Sequence, residues 1–156
     1  MAPPTAAPII DDDTRRQLAA SLFNRVWTLL ETPDRTIEQD DEMVHATHAS
    51  RYHWGELETG ARLARGEWQC SRVYAVLGRA EPALHHAQRC LAICETDGIG
   101  DFDLAFAYEA LARASHVAGR PDDAIEYAAM ARRAAEDIAE EDDRDLVLSD
   151  LATIET

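Results

Sequence analysis

Gly78-Arg79-Ala80-Glu81-Pro82-Ala83-Leu84 and Gly119-Arg120-Pro121-Asp122-Asp123-Ala124-Ile125 decide how this 156-residue chain folds. The two stretches stand 119 − 78 = 41 residues apart, and the correspondence runs on at both sides. Ala87 matches Ala128 and Cys90 matches Ala131; upstream, Cys70 pairs with Leu111, Ser71 with Ala112 and Tyr74 with Ser115. Each pair has a packing reason. Glycine ends a first helix where the backbone turns left-handed. Alanine lets the second helix approach the first closely, and the large apolar residues fill the seam between them. One helix–turn–helix unit is used twice.

Outward from this unit the periodicity stays helical. The chain has 28 alanines, the best helix formers, and no alternating strand pattern. Asp13 can cap a first helix carrying Leu18, Leu22, Val26 and Leu29, and Pro33 ends it. A second helix runs from Thr36 to Trp54, a third from Gly60 to Leu77 and a fourth from Glu81 to Thr96, closed by Gly98. Asp101 is placed to cap a fifth that ends at Gly119, and Pro121 sits in the first turn of a sixth. After the acidic run Glu140-Glu141-Asp142-Asp143, a last helix carries Val147, Leu151 and Ile154 on one stripe. The expectation is a loose arm over 1–12 and a single all-α domain over 13–156. That domain divides into an irregular helix pair (13–54), two repeats (65–95 and 104–137) and a capping helix (142–155).

Composition narrows the chemistry. All 15 basic residues are Arg, against 30 acids, for a formal charge of −15. With no Lys, Schiff-base chemistry, a pyridoxal anchor and a Walker-type phosphate loop are excluded, because each needs an ε-amine. An acidic chain of this kind is a poor match for duplex DNA or anionic lipid, whose affinity comes from neutralised phosphates. No apolar run approaches the ~18 residues of a membrane span. Met1-Ala-Pro-Pro-Thr-Ala-Ala-Pro8 lacks the pattern of a secretory signal. Three cysteines without disulfide spacing complete the expectation of a reduced, cytoplasmic protein.

The second copy of the unit resembles a tetratricopeptide repeat: Tyr108-x-x-Leu111-Ala112-x-x-Ser115-x-x-x-Gly119-x-x-x-x-Ala124-Ile125-Glu126-Tyr127-x-x-x-Ala131. The first copy, from Glu67 to Leu91, agrees at Tyr74, Gly78, Ala83 and Leu84. It departs at its start, where Glu67 takes the place of the first large ring and Trp68 follows it. The resemblance covers 65–135, under half of the chain. Its 41-residue spacing exceeds the usual 34, as in members with a long inter-repeat loop, here Glu95 to Asp103. It implies a right-handed α-solenoid of helix pairs whose first helices line a groove for a protein or peptide, without catalysis and without a cofactor. Two repeats leave apolar faces open. The first helix pair and the last helix therefore act as caps, or the chain forms a homodimer.

The resemblance places Arg65, Trp68, Arg72, Glu109, Arg113 and His116 on the groove side. Residues 61–100 hold five Arg and four acids, whereas the flanking segments are strongly acidic. Two readings stand side by side. The arginines pair with the protein's own excess acids, or they grip an acidic or C-terminal peptide segment, with Trp68 as apolar anchor.

Two metal alternatives are also legible. In the His-rich second helix, Glu42-x-x-His45 puts two ligand types on one face, with Asp41 beside them. His48 and His53 lie about 140° apart on that helix, so its three histidines cannot share an ion. In the fourth helix, His86, Cys90 and Cys94 form one stripe, and Cys70 faces it from the third; together they make a zinc-type set. Against it, free Cys also packs well in the small positions of a helix seam.

Overall fold

Two left-handed glycines, Gly78 at φ 71° and Gly119 at φ 70°, end their helices in the same way. The N–H of Gly78 donates to Ala75 O at 3.1 Å and that of Arg79 to Tyr74 O at 2.9 Å. Forty-one residues on, Gly119 donates to His116 O at 3.0 Å and Arg120 to Ser115 O at 2.9 Å. These bonds satisfy the last carbonyls of each helix. A Cβ at either glycine would meet nothing within 4 Å, so the backbone angle alone calls for glycine here.

The computed structural model describes residues 1, 9–57 and 60–154. Among them are seven α-helices and no strand: α1 (Asp12–Leu30), α2 (Ile37–Gly55), α3 (Ala61–Val76), α4 (Ala80–Asp97), α5 (Asp101–Val117), α6 (Pro121–Glu136) and α7 (Glu141–Ala152). The fold is an all-α stack of antiparallel pairs. α1 packs on α2, α3 on α4 and α5 on α6; each pair rests on the next through α2–α3 and α4–α5. The first helices also touch in series, α1 to α3 to α5, and α7 closes the stack against α5 and α6. No helix among the described residues is long and apolar enough to cross a membrane.

The 41-residue correspondence carries into the core. Ala83, Ala87, Cys90 and Cys94 of α4 are buried, and so are their counterparts Ala124, Ala128, Ala131 and Ala135 of α6. Small side chains at these crossings let the backbones come close, while Trp68, Phe106 and Leu111 fill the main core. A second cluster of Val26, Leu29, Met43, Ala46 and Val73 joins the first pair to α3. The C-terminal stripe of Val147, Leu151 and Ile154 is buried as its spacing predicts.

The helix starts differ in detail from the sequence expectation. Most of the 1–12 arm, residues 2–8, lies outside the described residues, and Asp12 already opens α1. Asp11, not Asp13, caps that helix, accepting from Thr14 N at 2.7 Å. Asp12 and Asp13 fall in the first turn, where the positive helix end favours carboxylates. Leu18 is exposed, and Ala19 takes the buried position beside it. Asp101 does not cap α5; it is the first helical residue after Gly100, at φ 55°, a conformation that Asp tolerates. The capping helix ends at Ala152, before the expected 155, which lies outside the described residues.

Candidate binding site

Aromatic residues four apart on a helix share a face, and two such pairs look into the same space. Phe23 and Trp27 come from α1, and Phe102 and Phe106 from α5, with Trp68 of α3 between them. Ring centroids run in an unbroken chain. Phe23 lies 6.5 Å from Trp27, Trp27 5.5 Å from Trp68, Trp68 5.5 Å from Phe106, and Phe106 4.6 Å from Phe102. Trp68 and Phe106 meet edge to face at 82°, the favoured electrostatic arrangement. These rings line a pocket of about 470 Å³, floored by Ala64 and Cys90 and bounded on the α7 side by Asp143, Leu146 and Asp150. Its size falls within the range of about 300–1,000 Å³ typical of ligand pockets.

The expected groove residues separate into two groups. Arg65 and Trp68 line the pocket. Arg65 is held by a two-pronged bond to Asp103, Nε–Oδ1 at 2.7 Å and Nη2–Oδ2 at 3.1 Å. Arg72, Glu109 and Arg113 lie together where α7 docks. Arg72 Nη2 donates to Asp150 at 2.7 Å and to Glu109 at 3.2 Å, while its guanidinium lies 5.2 Å from the Trp68 ring. Arg113 donates through Nε to Glu109 at 2.8 Å, and through Nη2 to Asp150 O at 2.9 Å and Thr153 Oγ1 at 2.8 Å. Glu109 is fully buried. All three arginines therefore have carboxylate partners within the chain, the first of the two readings held open by the sequence. His116 is exposed at the far end of α5.

The metal sets are rearranged. Glu42 is bound by Arg25, Nε–Oε1 at 2.7 Å and Nη2–Oε2 at 2.9 Å, which holds its carboxyl below the usual value, and His45 and Asp41 are exposed. Among the described residues no group of three ligand side chains includes Glu42 or His45, and an arginine from α1 takes the Glu42 carboxylate. Cys70 and His86 do come together, but their third neighbour is His48 of α2, not Cys90 or Cys94. The α4 stripe rotates away from Cys70 below His86, and Cys90 instead floors the aromatic pocket. Burial pushes the Cys70 thiol up to about 12.

Sequence reasoning found one of the five rings. The two i, i+4 pairs, Phe23/Trp27 and Phe102/Phe106, were the available signal for the other four.

No family model, curated protein or solved structure matches this chain.

Proposed function

We propose that this chain is a non-catalytic, tetratricopeptide-like module that takes a large apolar side chain of a partner protein segment into the pocket between α1, α3, α5 and α7. The observation that carries the proposal is the chain of five rings lining one cavity at the inner layer of first helices. A buried apolar anchor in a well-packed pocket is where binding energy concentrates in such interfaces. The resemblance in the sequence points to the same layer of helices.

Charge selects the flanks of that segment. Arg65 pairs with Asp103 and Asp150 with Arg72, and Asp143, which also interacts with Arg65, adds a third carboxylate to the pocket lining and makes it acidic. The whole chain carries −15. An acidic field steers basic partners in and repels acidic ones. With the arginines already engaged by the chain's own acids, the partner is a basic segment with an aromatic or leucine anchor, not an acidic tail.

Calorimetric titration with three short peptides tests this, each carrying a central Phe flanked by Arg, Ser or Glu. The Arg-flanked peptide should bind at least tenfold tighter than the Glu-flanked one. Asp143→Arg should erase that preference, and Leu146→Arg, at an exposed residue of the pocket wall, should weaken all three peptides. Equal binding of the three by the unmodified protein would overturn the charge assignment. No binding of any would overturn the pocket as a peptide site.

A further inference from the structure

We propose that His48, Cys70 and His86 form a zinc site where α2, α3 and α4 meet. One ligand atom from each residue lies within 4.8 Å of the other two. Around a tetrahedral zinc ion, with Zn–S near 2.3 Å and Zn–N near 2.0–2.1 Å, donor atoms stand about 3.3–3.7 Å apart. Closing on an ion therefore needs shifts of no more than about 1.5 Å, within reach of small side-chain rotations. One thiolate and two imidazoles are the donor types that zinc prefers over oxygen-seeking magnesium or calcium.

The surroundings are those of a supported site. His86 Nδ1 lies 2.6 Å from Glu67 Oε2, and the other oxygen of Glu67 accepts from Arg51 Nε at 2.9 Å. A carboxylate on one ring nitrogen fixes the tautomer and presents the other nitrogen to a metal, the usual outer partner of a zinc-bound histidine. His48 is held through Nε2 by the Tyr74 hydroxyl at 2.8 Å, and the Tyr74 ring stacks on His86 at 5.8 Å and 7°. Cys70 is fully buried and accepts a long hydrogen bond from Thr47 Oγ1 at 3.6 Å. On coordination the thiol proton leaves to solvent, and the Thr47 bond can persist to the thiolate. Three protein ligands leave a fourth position for water, and both histidines keep partial exposure.

Cobalt reports this directly, because a bound thiolate gives it a ligand-to-metal absorption band. The full-length protein, stripped with a chelator, should take one equivalent of Co²⁺ with that band, and Zn²⁺ should displace it. Zn²⁺ should also raise the melting temperature, since an ion bound only by the folded state stabilises it. Cys70→Ser should abolish the band, and His86→Gln and His48→Gln should each weaken Co²⁺ binding at least tenfold. Cys90→Ser/Cys94→Ser should bind as the unmodified protein does. A folded unmodified protein without the band, or a band that survives Cys70→Ser, overturns the site. Should Cys70→Ser fail to fold, the histidine variants decide, with circular dichroism confirming their helices. Unchanged affinity in both overturns it.

Discussion

Ala124 is 1% exposed at the crossing of α5 and α6, and its counterpart Ala83 is fully buried at the crossing of α3 and α4. At Ala83 the approach is close enough for Ser71 Oγ to donate to its carbonyl at 2.8 Å across the two helices. A larger side chain has no space at either crossing. Overpacking of this kind costs about 1–3 kcal/mol. In a chain of this length each kcal/mol moves the melting temperature by about 2–4 °C. Ala124→Leu should therefore melt several degrees lower. Ala129→Leu, on the exposed face of the same helix, should change it by little, because surface substitutions usually stay within about 0.5 kcal/mol. Equal losses from both would mean that the 41-residue alignment misplaces the buried face of α6.

At the scale of the element, α7 is attached by charge as well as by apolar packing. Its Val147 and Leu151 are buried, and its Asp150 accepts from Arg72 and Arg113, both of which also bind the fully buried Glu109. One oxygen of Glu109 takes both arginines, and the other has no protein partner. Removing one cation from such a group strands a buried charge, typically at about 3–5 kcal/mol. Urea denaturation of Arg113→Met should show a loss of that order, and Glu109→Leu in the same chain should restore most of it. A double variant as unstable as Arg113→Met alone would assign the loss to packing. The sequence made the helices legible because each carries local signals: Gly78 and Gly119 at the ends, Pro121 at a start, alanines on one face. It marked Arg72, Glu109 and Arg113 for the groove side of their helices. It could not decide their partner, because Asp150 stands 37 residues beyond Arg113 and no periodic pattern links them. The same holds for His48, which meets Cys70 and His86 only once three helices have packed.

At the scale of the molecule, one contact recurs. Beyond its own hairpin partner each second helix meets the next element, α2 meeting α3, α4 meeting α5 and α6 meeting α7. The N-terminal pair offers α3 a different, larger-residue contact, with Val26, Leu29 and Met43 clustered with Val73 of α3. The stack thus has two unlike ends, and α7 sits against the second, on α5 and α6. α7 in this sense covers the pair formed by α5 and α6. A protein stopped at residue 139 would present a bare end of the kind that another helix pair is shaped to cover. Contacts between unlike ends do not close on themselves, so such molecules would add head to tail into open fibres. Light scattering of the truncated protein should then grow with concentration, while the full-length chain stays at one size. A truncated chain that remains a single folded particle would mean that the end of the stack needs no cover.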